Sequence, residues 1–158
     1  MKILMVCLGN ICRSPMAEGV LQYKLKEKNL DYIIDVDSAG TISMHQGEHP
    51  DKRAIQTARK HGIDISNLIA RPFQIKDFDT FDKIIVMDGS NYEDVISLAR
   101  NEMDILKVKM LLNYCKPGSN QALPDPYYGS LDGFEKVYKL IDEACDAIIL
   151  SLEKEFAF

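Results

Sequence analysis

The stretch "ILMVCLGNICRSPMAEG", residues 3–19, frames the reading of the rest of the chain. Ile3–Val6 is a short, continuous apolar run, the pattern of a strand buried on both faces. It stops at Cys7, turns through Gly9 and Asn10, and reaches Arg13, Ser14 and Pro15. Pro15 then opens a helical pattern that runs to Lys28, with apolar Met16, Val20, Tyr23 and Leu25 roughly on one face and Ser14 as its expected cap. The place a capping-box Glu or Gln would take is filled by Ala17. A strand-to-helix turn with a thiol at its start and a guanidinium six positions on admits three chemistries: a metal site, a disulfide, or a nucleophile beside an anion-binding arginine.

Outward from this stretch, strand-like and helix-like segments alternate. Tyr32–Val36 and Lys83–Asp88 read as strands, and Ile105–Val108 as a fourth. Helices are expected at Asp51–His61, stopped by Gly62, at Asn91–Arg100, and from Leu131 to Glu155. In the last of these, Leu131, Phe134, Val137, Tyr138, Ile141, Ala144, Cys145, Ile148 and Leu152 form a helical stripe. This order predicts an α/β fold: a doubly wound, four-stranded parallel sheet with helices on both faces, of the flavodoxin-like type, in a single domain spanning 1–158. Ligands of such sheets bind beyond the carboxyl ends of the strands, where the opening turn lies. Two long loops, Ser38–Pro50 and Tyr114–Gly129, are candidates to carry function.

Composition narrows the class. The chain has 158 residues, 46% of them apolar, with a net charge of −5. That balance argues against nucleic acid and anionic membranes as partners, yet a local arginine and a ring of backbone N–H groups still bind an oxyanion in an acidic protein. The opening apolar run is too short for a secretory signal, and no stretch approaches membrane-spanning length. With a normal core, the four cysteines are not needed as staples, so a reduced, cytoplasmic protein is expected, and a monomer, because no exposed apolar element demands a partner.

The three chemistries then separate. Cys7 and Cys12 lie too far apart for a zinc knuckle, and His45 and His49 sit in a Gly- and Pro-bearing loop, so no metal is expected and His45, His49 and His61 read as surface residues. A C-x-x-C motif is absent, although Cys7 and Cys12 can still meet across a tight loop as a reversible bond. Cys115 reads as a loop residue and Cys145 as a small buried hydrophobe. The nucleophile reading accounts for more residues. A loop entering a helix points successive N–H groups inward, reinforced by the helix dipole. Gly9 permits close approach, and Arg13 offers a planar fork to two oxygens of a phosphate. Thiols in such positive settings have pKa values of roughly 3.5–7.5 instead of about 8.5. Ser14 is placed to donate to the thiolate. A general acid is found only at a distance: "ALPDPYYGS" puts Asp125 between two prolines, ahead of Tyr127 and Tyr128. Spacing alone reads it as a plain Asp–Pro turn at least as readily as an acid. Nucleotide-loop and nucleophile-elbow motifs are absent.

With those residues in view, the chain resembles the low-molecular-weight protein tyrosine phosphatases. "VCLGNICRSP" matches the C-x5-R-S phosphate loop of that family, and "DSAGT" at 37–41, "FDKIIVMDGSN" at 81–91 and "PDPYYG" at 124–129 follow in the family's order. The resemblance implies that Cys7 is the nucleophile, that Arg13 and the loop Leu8, Gly9, Asn10, Ile11, Cys12, Arg13 and Ser14 hold the phosphoryl group, and that Asp125 is the general acid and then base. It implies that Asn10, Ser14 and Ser38 support the loop, that Ile11, Met44, Tyr127 and Tyr128 wall the substrate pocket, and that Cys12 can trap Cys7 in a reversible disulfide. No cofactor or metal is implied. The implied partners are phosphotyrosine-containing proteins or peptides, with phosphate and other oxyanions as competing ligands. Two positions depart from the family's pattern: Met44 stands where an aromatic residue is common, and Leu68 where many members carry a His. Arginine phosphatases of the family usually have Thr at the position of Ile11, so Ile11 favours phosphotyrosine. Related arsenate reductases need further cysteines after the third strand, where "MDGSNYEDV" has none. A non-catalytic phosphate- or phosphopeptide-binding module is the alternative from another class.

Overall fold

The computed structural model describes residues 1–156. Among them a parallel sheet of four strands forms, in the order β2-β1-β3-β4: β1 Lys2–Cys7, β2 Asp35–Gly40, β3 Lys83–Val86 and β4 Val108–Met110. The helices are α1 Arg13–Glu27, α2 Lys52–Lys60, α3 Asp77–Thr80, α4 Gly89–Ile96, α5 Glu102–Leu106 and α6 Leu131–Glu155. Alternation along the strands divides the core in two. Ile3, Met5 and Ile85 pack with α1, α2 and α6, while Leu4, Val6, Ile84 and Val86 pack with Phe73, Phe78, Phe81 and Val95. This is the expected doubly wound α/β architecture. The chain winds from β1 to one side and then from β3 to the other, so a crevice opens beyond the carboxyl ends of those two strands.

Three elements differ from the sequence reading. The second strand lies at Asp35–Gly40 and not at Tyr32–Val36. Asn29, at φ 55°, follows the end of α1 and leads into a turn in which Ile33 and Ile34 both donate to the Leu30 carbonyl, and Tyr32 is left exposed. The strand instead runs through Asp37–Gly40, residues of low β propensity, because it pairs with β1 along its length, out to Cys7 opposite Gly40. Residues Ile105 and Leu106 belong to α5, which Asn101 caps by accepting from the Asp104 amide at 3.0 Å, and the fourth strand begins at Val108. The helix expected over Asn91–Arg100 is α4, which starts earlier, behind Asp88, and ends at Ile96. Within α1, Tyr23 is exposed and Leu21 is buried in its stead, and in α6 Leu131 lies outside the buried stripe. Among the described residues no helix is long and apolar enough to cross a membrane.

Candidate active site

The turn after β1 closes around the Cys7 sulfur. The Asn10 amide N–H points at that sulfur, 3.3 Å away, and the Ser14 hydroxyl oxygen lies 3.0 Å from it. Ser14 is not the helix cap that its position suggested. It lies inside α1, and its hydroxyl is turned to the thiol and not to a backbone N–H.

Asn10 holds the turn in shape. Its backbone is left-handed, φ 58°, a region in which Asn is among the better-tolerated side chains. Its side-chain oxygen accepts from the Arg71 N–H at 3.1 Å, which fixes the amide orientation and leaves Nδ2 as a double donor, to Ser14 Oγ at 2.8 Å and Ser38 Oγ at 2.9 Å. Ser38 in turn donates to the Glu18 carboxylate at 2.6 Å. Glu18 was not singled out from the sequence, although a Glu amid the apolar "PMAEGVL" is a signal. Burial pushes its carboxyl up to about 7, as does the nearby Asp37, against the hydrogen bonds from Ser38 and Gln22. Leu68, which stands where many members of the resembled family carry a His, packs against the core, and the loop is braced by Glu18 and by the Arg71 backbone.

Gly40 explains how β2 and the turn fit together. A Cβ there would sit 2.8 Å from the Leu8 carbonyl oxygen and 3.1 Å from the Asn10 nitrogen. The small residues at the end of β2 therefore let the loop lie directly on the strand.

Arg13 is buried, and its position is fixed from β3 and from the long loop. Its Nη1 donates to Asp88 Oδ2 at 2.7 Å and to the Leu123 carbonyl at 2.9 Å, while Nη2 lies 3.6 Å from Asp125 Oδ2. Asp88 also caps α4, accepting from the Asn91 N–H at 2.8 Å. Its position, an Asp at the end of a buried strand just before a helix, was the available sequence signal.

Cys7, Arg13, Asp125, Ile11, Cys12, Met44, Tyr127 and Tyr128 all line one cavity of about 200 Å³. Three parts of the chain far apart in sequence supply it, 7–13, 42–45 and 125–128. Ile42 and His45 line it too. His45, read from the sequence as a surface residue, belongs to the cavity wall: its Nδ1 donates to Glu48 at 2.8 Å and its ring lies 6.4 Å from that of Tyr127. His49 donates to the Leu68 carbonyl, and His61 pairs with Glu135 and stacks on Tyr138. Cys12 is buried beside Cys7, and that burial, with Asp51, Cys7 and Asp125 nearby, drives its thiol well above the ordinary cysteine range. Cys145 is fully enclosed and Cys115 is exposed.

This arrangement, a thiol held by the Asn10 N–H and the Ser14 hydroxyl with a buried arginine and a carboxyl group on the same cavity, agrees with the likeness of the chain to known proteins. The family model described as low molecular weight phosphotyrosine protein phosphatase matches residues 2–157. The chain belongs to that family. Its enzymes are cysteine-dependent hydrolases. The chain is 41% identical over 143 residues to the low molecular weight phosphotyrosine protein phosphatase of Schizosaccharomyces pombe, covering 89% of this chain and 90% of that one. Among solved structures, the protein tyrosine phosphatase of Entamoeba histolytica, with Hepes in its active site, superposes with a TM-score of 0.92 at 37% identity, over 98% of each chain. A Drosophila arginine phosphatase superposes with a TM-score of 0.89 at 33% identity, over 97% of this chain and 98% of that one. The phosphatase family thus includes structural relatives with different named substrates.

Proposed function

We propose that this phosphatase hydrolyses phosphotyrosine and small aryl phosphates through a phosphocysteine on Cys7. The observation that supports this most is the convergence of Cys7, Arg13 and Asp125 on one cavity from β1, α1 and the 115–130 loop. The phosphoryl group sits on the N–H groups of the 7–14 turn and on the outward edge of Arg13, which Asp88 and Leu123 hold in place. The Cys7 thiolate attacks phosphorus, the P–O bond to the aryl group breaks, and protonated Asp125 gives its proton to the departing oxygen. Water then attacks phosphorus while the Asp125 carboxylate takes its proton. The S–P bond breaks, and inorganic phosphate and the thiolate are released.

The cavity walls favour an aryl substrate. Leu8, Ile11, Ile42, Met44 and Tyr127 surround the space above the thiol with apolar surface, which suits a phenyl ring better than a charged guanidinium. Phosphoarginine is the second reading, supported by the likeness to the Drosophila enzyme. In this proposal the chain is one domain, 1–158, that acts as a monomer in the cytoplasm on phosphorylated proteins or peptides, with phosphate as a competing ligand. Turnover of phosphotyrosine, phosphoarginine and phosphoserine peptides by wild type and by Cys7→Ser decides among the readings. Phosphotyrosine is expected to be cleaved fastest and only by wild type. Wild type that binds a phosphopeptide but releases no phosphate would make the protein a binding module.

A further inference from the structure

The acid loop and the nucleophile loop are joined by a residue that the mechanism above does not use. Arg53 is the second residue of α2. Asp51, which caps that helix, donates its own N–H to the Ile11 carbonyl at 2.8 Å, so α2 starts bonded to the nucleophile loop. The Asp51 carboxylate accepts from the Arg53 N–H at 2.8 Å, from Nε at 3.0 Å and from Nη2 at 3.0 Å. That leaves the outer edge of the guanidinium, which reaches across to the other loop. Nη2 donates to the Tyr127 carbonyl at 2.8 Å and Nη1 to the Gly129 carbonyl at 2.9 Å. The guanidinium also lies over the Phe134 ring, 4.6 Å from its centroid.

Tyr127 transmits this hold to Asp125. Its carbonyl is fixed by Arg53, and its N–H donates to Asp125 Oδ1 at 3.1 Å. Upstream, Leu123 is anchored by its N–H to the Met87 carbonyl at 2.8 Å and by its carbonyl to Arg13. Asp125 is therefore suspended between two anchors, and Arg53 is the downstream one. A planar fork with several donors makes both carbonyl contacts while staying paired with Asp51, and a point charge on a flexible stem does not.

We propose that Arg53 is a positioning residue for Asp125: it sets the reach of the acid carboxyl group to the leaving oxygen by clamping the carbonyls of Tyr127 and Gly129. The proposal rests on the reading of Asp125 as general acid. The two separate by experiment, because an acid matters in proportion to how poor the leaving group is.

The test measures kcat/KM for a series of aryl phosphates, from phenyl phosphate to one with a strongly acidic phenol, in wild type, Arg53→Gln, Arg53→Lys and Asp125→Asn. Inhibition by inorganic phosphate on the same preparations reports an intact binding loop. Arg53→Gln is expected to lower kcat/KM for phenyl phosphate by about 10- to 100-fold, part of the 10²–10⁴-fold usual for a general acid. The activated ester should change by less than about threefold, and the phosphate inhibition constant should not move. Arg53→Lys, which keeps the charge but has a single donor nitrogen, should fall between. Equal losses on all esters, or none, with Asp125→Asn still steeply dependent on the leaving group, would overturn the role of Arg53 and leave that of Asp125. An Asp125→Asn enzyme that is indifferent to the leaving group would instead overturn the acid reading.

Discussion

The Ser14 hydroxyl and the Cys7 thiol form a bond whose direction is set from outside. Ser14 Oγ already accepts from Asn10 Nδ2 at 2.8 Å, and the orientation of that amide is fixed by the Arg71 N–H. The one hydrogen of Ser14 is thus left for Cys7 at 3.0 Å or for the more distant Ala39 carbonyl at 3.5 Å. A thiolate is the better acceptor. Hydrogen bonds to charged groups contribute about 1.5–3 kcal/mol, so Ser14→Ala should slow alkylation of Cys7 by iodoacetate at a fixed acidic pH by roughly 10- to 100-fold. An unchanged rate would mean that Ser14 serves another partner.

Gly40 and Gly133 make opposite predictions. Gly40→Ala drives a methyl group against the Leu8 carbonyl, backbone that cannot step aside. It should cost about 1–3 kcal/mol of stability and weaken phosphate inhibition, since the loop must lift from β2. Gly133 lies in α6 with nothing within 4 Å of a Cβ. Gly133→Ala should raise stability by about 0.4–1 kcal/mol and leave phosphate inhibition unchanged. Denaturant unfolding and a phosphate titration check both.

Glu18 gives stability a pH dependence. Its folded pKa, raised by burial to about 7, lies above the ordinary glutamate value of 4.5. Between those values the native state holds more protons than the unfolded one, so the contribution is present at low pH and is lost as pH rises towards 7 and beyond. Relative to Glu18→Gln, wild type should lose on the order of 3 kcal/mol between pH 4.5 and pH 8. Parallel stability curves for the two proteins would contradict this.

Cys12 should protect Cys7 from over-oxidation. Peroxide converts the Cys7 thiolate to a sulfenic acid, and the adjacent Cys12 thiol displaces water to form a disulfide. Activity should then return on adding a thiol, and mapping should find a Cys7–Cys12 bridge. In Cys12→Ser, loss of activity should become irreversible, with Cys7 as sulfinic or sulfonic acid. Full recovery of that variant would remove Cys12 from the role.

The sequence exposed the parts of this site that follow local rules. β1, the turn and α1 were readable because an apolar run stops at Cys7 and a helical pattern opens at Pro15, two residues inside the observed start of α1 at Arg13. The end of β2 was not, because Asp37, Ser38 and Gly40 are poor strand formers chosen for what lies on top of them. α5 was hidden for the same kind of reason: its cap, Asn101, outweighed the strand-like Ile105. Asp88, Glu18 and Arg53 act through partners between 20 and 76 positions away in the chain, distances at which no periodicity or spacing rule operates. His45 entered the cavity wall for that reason too, brought there by the fold of its loop and not by any pattern around it.

The central claim is that Cys7 carries the phosphoryl group during turnover. Rapid acid quenching of wild type mixed with a radiolabelled aryl phosphate, followed by peptide mapping, tests it most directly. The account predicts label on the peptide containing Cys7, as an S-phosphocysteine absent from Cys7→Ser. Label on another residue, or undiminished turnover by Cys7→Ser, would contradict it.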